Sequence, residues 1–302
     1  MKKKKILLIA VLIMAVFVLS GCSKDVTSAI GTGKFKLEDI FIYPMAGLMW
    51  LLAWLSKNIF GVASYGVIII LATIVVRTMA WPIYAKSNDL GLKMKLVEPE
   101  AQKIQRKYKD KQDQQSQQRM QMEMMQLYKK YGIGLSGCIM PFIQMPIFIG
   151  FYRTISRMPE TLKVEGHWLN VFDTTKFLGI DLTLGQEGSS YQKNAVIILA
   201  ILVGITQVVS LIISQRRQKK LKEEQVSDIP EYRRQQNPNQ KQTEMTMNIV
   251  MYGMTAMMVV FVLRSPAGLG IYWLIGNIYS TFQSYIGHIN SAKRLEYLKN
   301  KH

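Results

Sequence analysis

The sequence predicts an all-α polytopic membrane protein with five transmembrane helices, an outer interfacial helix, a cytoplasmic helical hairpin and a hydrophilic groove open to the cytoplasm. Hydrophobic residues make up 49% of the 302 residues although the net charge is +18, which is typical of a multi-span protein with basic loops. Five apolar segments alternate with loops that are in turn rich and poor in Lys and Arg. The first segment, 62–81, is long enough to cross a bilayer and contains one charge, Arg77.

The positive net charge indicates which partners the protein can bind, and the small number of cysteines excludes some kinds of site. The excess of cations suits anionic lipid headgroups, the bias of cytoplasmic loops towards Lys and Arg, or nearby RNA such as a ribosome. The two cysteines, Cys22 and Cys138, predict neither a disulfide framework nor a cysteine-based zinc site. We expect no metal site and no resident cofactor.

Residues 1–21 have the pattern of a lipoprotein signal peptide. Residues 2–5 are lysines, and residues 6–19 form an apolar segment that is too short for a membrane span. The Leu-Ser-Gly-Cys sequence that follows resembles a bacterial lipobox, which predicts cleavage before Cys22. The mature chain is then expected to carry diacylglycerol on the Cys22 sulfur and an N-acyl lipid such as palmitate. The alternative is an uncleaved signal anchor.

Residues 22–60 are predicted to form an extracytoplasmic tether followed by the interfacial helix. Residues 23–33 are small and polar, which suits a tether. Residues 35–61 present a broad apolar surface rich in Trp and Leu and end near Lys57 and Asn58, which favours a helix lying in the outer interface. The alternative is that this helix is itself a span, which would reverse the orientation of everything after it.

Residues 61–290 are predicted to form the five-span core, and residues 291–302 a basic cytoplasmic tail. The second to fifth spans are predicted at 134–155, 195–214, 245–263 and 268–286. A basic loop at 215–243 joins the third and fourth spans, whereas the loop at 156–194 contains few cations. Because cytoplasmic loops carry the excess of Lys and Arg, we expect the N-terminus outside and the C-terminus inside a bacterial plasma membrane.

Residues 85–131 are predicted to form the cytoplasmic helical hairpin. This segment is strongly basic, and its apolar residues recur at helical spacing on both sides of a polar turn near residues 110–114. They are Leu96, Ile104 and Tyr108 in the first arm, and Met120, Met124, Leu127 and Tyr131 in the second. The methionines either form the seam between the arms or offer an adaptable docking surface.

Polar residues of the spans concentrate between the membrane midplane and the cytoplasm. They are Arg77, Gln144, Thr206, Gln207, Ser210, Asn277, Ser280, Thr281, Gln283 and Ser284. No predicted span contains Asp or Glu, so the spans supply no acidic partner for Arg77, which favours a hydrated cavity over a packed core. One alternative is that Arg77 snorkels to the headgroups beside Trp81. The other, for the amides and hydroxyls, is hydrogen bonding between helices, worth about 0.6 kcal/mol each.

A cation in such a cavity attracts acidic groups. At an effective dielectric constant of about 20, a contact pair gains about 4 kcal/mol. A chain segment in which Asp or Glu flanks an apolar stretch would be drawn into the cavity. It would then be released as the apolar stretch partitions into lipid.

Five segments, spread in order over residues 60–290, carry a resemblance to a known family. They are VVRTMAWP around Arg77, LVEPEAQKIQRKYK in the hairpin, CIMPFIQMPIFIGFYRTI in the second span, FLGIDL in the outer loop and PAGLGIYWLIGN in the fifth span. The chain resembles the YidC/Oxa/Alb membrane protein insertases, in the lipoprotein-type, five-span form of Gram-positive bacteria. The resemblance implies that Arg77 attracts acidic parts of substrates. It also implies that Gln144, Gln207 and Trp273 line the groove, and that the hairpin is mobile and contacts substrates or targeting factors.

The function implied by this resemblance is a membrane protein insertase and folding chaperone that is not an enzyme. The sequence contains no Gly-rich phosphate loop, which agrees with insertion that does not require a nucleotide. The expected partners are nascent membrane proteins, with the Sec translocon, the signal recognition particle receptor, the ribosome and anionic lipids as further candidates.

Two other functional classes fit the sequence less well. A solute transporter or channel is the main alternative, but ion-coupled transporters place carboxylates at mid-membrane and show internal repeats, and the sequence shows neither. A membrane hydrolase is disfavoured because His167 and His288 have no evident nucleophile or acid partner in the sequence.

Overall fold

The computed structural model describes residues 28–32, 35–82, 93, 97, 99–108, 113–133, 136–227 and 238–289. The predicted signal peptide 1–21, the lipidation site Cys22 and the tail 291–302 lie outside these ranges. The helices with defined ends are α1 (Asp39–Phe60), α2 (Tyr65–Met79), α3 (Gln114–Lys130), α4 (Ser136–Thr161), α5 (Ser190–Ser227), α6 (Pro238–Leu263) and α7 (Ala267–Ile289). Two short antiparallel strands, β1 (Lys176–Phe177) and β2 (Ile180–Asp181), lie between α4 and α5.

The helix α7 packs against four other helices, α2, α4, α5 and α6. A glycine lets α5 approach closely, because a Cβ on Gly270 would lie 2.6 Å from the Leu199 side chain. The main apolar core is formed by α1, α2, α4 and α7, with residues of the start of α5 and of the loop before it. It contains the stacked rings of Phe151 and Tyr272, with centroids 4.3 Å apart. Side chains on different faces of α7 therefore meet different helices.

Two helices are long and apolar enough to cross a membrane among the residues described, α1 and the Ser190–Arg216 part of α5. The predicted third span thus has a matching helix. The helix α2 and the Asn248–Leu263 part of α6 are apolar but shorter, so helix length alone does not establish five spans. Because α1 meets the same criterion as α5, its placement in the membrane interface stays a prediction.

The helix α2 is shorter than the predicted span 62–81 because the residues before it bind the loop between α4 and α5. The amide of Ala63 donates to Asp173 Oδ2 over 2.7 Å, and the amide of Tyr65 donates to Thr174 O over 3.0 Å. The Lys57 ammonium, 2.8 Å from the same carboxylate, holds the pKa of Asp173 below its ordinary value. We call the end of the bundle that carries this loop, residues 162–189, the loop end.

The two strands add a feature that the sequence did not predict. Their turn consists of Leu178 and Gly179, with φ angles of 52° and 78°, and two positive φ angles are what a type I′ hairpin turn requires. The buried Gln192 of α5 accepts a hydrogen bond from Asp181 N over 3.0 Å and donates one to Asp181 O over 2.8 Å. The strands therefore fasten the loop to the start of α5.

Helix extends from both sides into the predicted basic loop 215–243. The helix α5 continues to Ser227 and α6 begins at Pro238, while residues 228–237 lie outside the described ranges. The Lys, Arg, Gln and Glu residues of this stretch are strong helix formers, and proline is favoured at the first position of a helix. The apolar part of α5 therefore ends before the helix does, and the apolar part of α6 starts after the helix has begun.

The hairpin predicted at 85–131 has two helical arms where it is described. The second arm is α3, whose N-cap Asp113 accepts a hydrogen bond from Ser116 N over 2.8 Å, and residues 99–107 of the first arm are helical. One cluster joins the arms, formed by Val97, Ala101, Ile104, Met124, Leu127, Tyr128, Tyr131 and Ile133. The seam interpretation is confirmed for Met124, whereas Met122 and Met125 are exposed.

Reciprocal polar contacts border this seam. Glu123 of the second arm accepts hydrogen bonds from Lys107 Nζ at 2.7 Å and Tyr108 OH at 2.8 Å. In the same way, Glu100 of the first arm accepts from Tyr131 OH at 2.5 Å, and Lys130 Nζ lies 3.3 Å from it. The hydrogen bond from Tyr131 lowers the pKa of Glu100, and the one from Lys107 lowers the pKa of Glu123. Each arm therefore supplies a carboxylate to a Lys-Tyr pair of the other.

We expect acidification to loosen the hairpin. Both carboxylates have folded pKa values below the ordinary 4.5, so their contribution is complete above about pH 4.5 and is lost as the pH falls through the folded values. Hydrogen exchange of the α3 amides, measured between pH 7 and pH 3 and corrected for intrinsic rates, should show protection falling at the acid end. The double variant E100Q/E123Q should begin with lower protection and lose less of it. An unchanged pH profile in that variant would contradict the assignment.

Candidate functional site

Arg77 lies in the last turn of α2, at the end of the bundle opposite the loop end. The side chain is half-buried, and its Nη1 donates to Ser280 Oγ of α7 over 2.8 Å. The guanidinium passes over Gly276, where a Cβ would lie 2.9 Å from Nη2 and 3.6 Å from Cζ. Only glycine leaves room for this approach without displacing the arginine. The guanidinium therefore points at α7, within the bundle.

The contact between α2 and α7 changes from apolar to polar along its length. At the loop end, Ile69 packs against Gly268, with 2.9 Å between its Cδ1 and a Cβ placed there. At the opposite end, one residue beyond Arg77, Thr78 Oγ1 lies 2.8 Å from Tyr279 OH. The polar contacts between these two helices thus lie at the Arg77 end.

Asn277 and Thr281 lie on a different face of α7 and contact α5. Asn277 Nδ2 donates to Val203 O at 3.4 Å and to Thr206 Oγ1 at 3.3 Å. Thr281 Oγ1 donates to Asn277 O at 2.8 Å and lies 2.6 Å from Ser210 Oγ. These contacts are hydrogen bonds between or within helices, which was the alternative considered for hydroxyl and amide residues of the spans.

Trp273, Gln207 and Gln144 occupy three different environments. Trp273 is half-buried and stacks on Phe148 of α4, with ring centroids 5.6 Å apart, while its edge meets Phe261 of α6 at 5.5 Å. Gln207 is half-buried on α5, one helical turn after the buried Val203. Gln144 lies within α4, but its side chain is outside the described part of the structure.

The predicted site residues are therefore arranged around α7 rather than in one cluster. Because successive residues of a helix are about 100° apart, Ser280 can meet Arg77 of α2 while Thr281 meets Ser210 of α5. Trp273 projects between these two faces, towards α4 and α6. This arrangement places a cation on the α2 side of α7 and several hydroxyl and amide groups on its α5 side.

A second charged cluster, which the sequence analysis missed, joins α1 to α4. Arg157 is buried and pairs with both Glu38 and Asp39, with 3.3 Å between its Nη1 and Asp39 Oδ1. Arg153, inside the predicted second span, lies with its Nε 3.0 Å from Glu38 Oε2. Two features of the sequence could have indicated this cluster. Arg153 and Arg157 are four residues apart and therefore lie on one face of a helix, and Glu38 and Asp39 are consecutive acidic residues at the start of a helix. Their pairing across more than a hundred residues could not be predicted from spacing.

His167 belongs to the same end of the bundle and contacts the chain before α1. Its Nε2 lies 2.7 Å from Ile30 O, and the amide of Ile30 donates to Thr161 Oγ1 over 3.0 Å. Within the described ranges, no group of three or more His, Cys, Asp and Glu side chains could hold a metal ion. His288 and Cys138 have no described side chains.

Comparison with known proteins gives the family. The model of the family described as 60Kd inner membrane protein matches residues 54–294, which include α2 to α7. The chain belongs to this family. Its relatives include proteins named membrane protein insertase YidC 2 of Bacillus anthracis, 32% identical over 285 residues, and membrane protein insertase MisCA of Bacillus subtilis, 30% identical over 285 residues. These alignments cover 94% of this chain and 93% and 91% of the two relatives.

The family confirms the resemblance inferred from the five sequence segments. A third relative, named membrane protein insertase YidC of Oceanobacillus iheyensis, is 31% identical over 285 residues, which are 93% of this chain and 95% of that protein. Because the alignments cover 93–94% of this chain, the similarity includes α1 and the hairpin as well as Arg77. As the family name states, this is a family of membrane proteins.

Proposed function

We propose that this chain is a membrane protein insertase and chaperone, which takes hydrophobic segments of nascent membrane proteins into an intramembrane groove between α2, α5 and α7. It releases these segments into the bilayer without nucleotide hydrolysis. The observation that supports this most directly is the half-buried Arg77, held towards α7 by Ser280, in a chain whose relatives are named insertases. Membership of the family supports the general function, and the position of Arg77 supports the mechanism.

The proposed mechanism separates capture from release. Arg77 attracts an acidic group that flanks the incoming apolar segment, with a gain of about 4 kcal/mol at an effective dielectric constant of about 20. Moving one large apolar side chain out of water is worth about 1.5–3 kcal/mol. Three such side chains entering lipid already outweigh the ionic attraction. A hydrophobic segment can therefore leave the groove without an external source of energy.

We also propose a membrane topology, a set of groove-lining residues and a set of partners. The N-terminus lies outside and is anchored through lipid on Cys22, and the C-terminus is cytoplasmic. Gln144, Gln207 and Trp273 line the groove, while Asn277 and Thr281 hold α7 against α5 at its wall. The hairpin contacts nascent chains or targeting factors, and the Sec translocon, the signal recognition particle receptor, the ribosome and anionic lipids are further partners.

Reconstitution tests the function. The purified chain in liposomes is expected to insert a small test membrane protein with an acidic translocated segment, as measured by protection of that segment from external protease. Liposomes without the chain, and liposomes with the chain but no added nucleotide, are the controls. Solute flux through the same liposomes without insertion would instead support a transporter or channel and would overturn the proposal.

A further inference from the structure

Gln283 is a buried polar residue on the same face of α7 as Gly276 and Ser280. Residues three, four and seven positions apart lie on one side of a helix, so Gln283 faces the α2 side, one turn beyond Ser280. The residue is 6% exposed. Within the described structure, its Nε2 is buried and makes no hydrogen bond.

A buried amide donor without an acceptor is unfavourable, because it has lost its hydrogen bonds to water and gained none. An apolar side chain of similar length, such as methionine, would avoid this cost. A buried polar group without a partner calls for an explanation, and a functional site in which a ligand supplies the partner is one such explanation. The position of Gln283 next to Ser280, which binds Arg77, places it beside the proposed groove.

We propose that the Gln283 amide donates a hydrogen bond to a main-chain carbonyl of a substrate segment that enters the groove before becoming helical and displaces the groups that bury the amide in the free protein. This inference rests on the proposed insertase function. In lipid, every backbone group needs an internal partner, and a segment that is not yet helical has free carbonyls. A neutral amide suits such an acceptor, whereas the Arg77 guanidinium suits a carboxylate. The two neighbouring donors thus recognise different groups of one substrate.

The substrate class that follows is a hydrophobic segment with weak helix propensity. Gly and Pro in a span weaken helix formation or remove its hydrogen bonds, so such a segment keeps carbonyls free for longer than one made of Leu and Ala. Gln283 should matter most for these segments. Gln283 should matter little for a segment that becomes helical at once, because such a segment forms its own backbone hydrogen bonds.

The test compares two substrates of equal mean hydropathy and with the same acidic translocated segment, one with a Leu/Ala span and one with the span interrupted by Gly and Pro. Gln283→Met in liposomes should insert the interrupted substrate about 3- to 10-fold more slowly, the loss of one hydrogen bond, and the Leu/Ala substrate at the wild-type rate. The matched control is Phe282→Met, at the adjacent, exposed position of α7, which should change neither rate.

Stability separates this role from a structural one. Because Gln283→Met removes a buried donor that has no acceptor, its unfolding temperature in detergent should equal or exceed that of the wild type. A lower unfolding temperature would show that the amide holds the fold, and would overturn the inference. Equal slowing of both substrates would indicate an acceptor common to both, such as a lipid ester carbonyl, and would overturn the assignment to substrate carbonyls.

The experiment also distinguishes this inference from the function on which it rests. If the wild-type chain inserts neither substrate, the proposed function fails. If the wild type inserts both substrates and Gln283→Met inserts both equally well, the proposed function stands and the role of Gln283 is refuted.

Discussion

Arg77→Ala should reduce insertion of a substrate with an acidic translocated segment by about two to three orders of magnitude. This is the loss expected when a contact pair worth about 4 kcal/mol is removed at an effective dielectric constant of about 20. The change leaves Ser280 and Gly276 in place, so the packing of α2 on α7 is preserved. Protease protection of the translocated segment, measured in liposomes at equal protein density, gives the rate.

Two controls make the Arg77 result specific. Arg77→Lys keeps the charge but loses the planar group that lies over Gly276, so it should retain an intermediate rate. A substrate with a neutral translocated segment should be inserted at nearly the same rate by wild type and Arg77→Ala. Full insertion of the acidic substrate by Arg77→Ala would refute the capture role, although membership of the family would stand.

Arg157→Met should cost about 3–5 kcal/mol of stability, the usual penalty for removing one partner of a buried ion pair. The Arg157 side chain is 4% exposed and contacts both Glu38 and Asp39. Its removal leaves Glu38 paired with Arg153 but takes away the arginine that Asp39 contacts. The expected result is a lower unfolding temperature in detergent and earlier proteolytic cleavage near the start of α1.

The matched control for this change is Lys163→Met, which breaks the pair with Glu160 on an exposed surface where Lys163 is 69% exposed. Exposed pairs contribute little, so its effect should stay within about 0.5 kcal/mol. Adding Asp39→Asn to Arg157→Met should recover part of the loss, because Asp39 keeps its charge but loses this arginine, whereas Glu38 still pairs with Arg153. If Arg157→Met unfolds at the same temperature as Lys163→Met, the cluster does not hold α1 to α4.

The sequence predicted best those features that depend on local pattern. The long apolar run of the third span corresponds to α5, and the spaced apolar residues of the hairpin correspond to the Met124–Leu127 seam. The direction of Arg77 could not be predicted from periodicity, because α2 is apolar nearly all round and offers no polar face. It depends on Gly276, whose missing side chain matters only once α2 and α7 are packed together.

Features that depend on distant residues were missed for a related reason. Arg153 was hidden within an apolar segment, and Glu38, which pairs with it, lies next to the start of α1, far away in the chain. The extra length of α5 was missed because a membrane span is recognised by its apolar residues, whereas the helix continues through Lys, Arg and Gln. Asn277 and Thr281 were predicted as site residues, but which neighbouring helix they meet depends on the rotation of α7.

The reciprocal contacts of the hairpin have a consequence for how its arms are aligned. Tyr108 and Tyr131 sit at opposite ends of the paired region, and each reaches a glutamate of the other arm. A shift of one arm by a single turn would move both tyrosines about 5 Å from their acceptors at once. The apolar seam alone would tolerate such a slip, so these two small contacts give the hairpin one register.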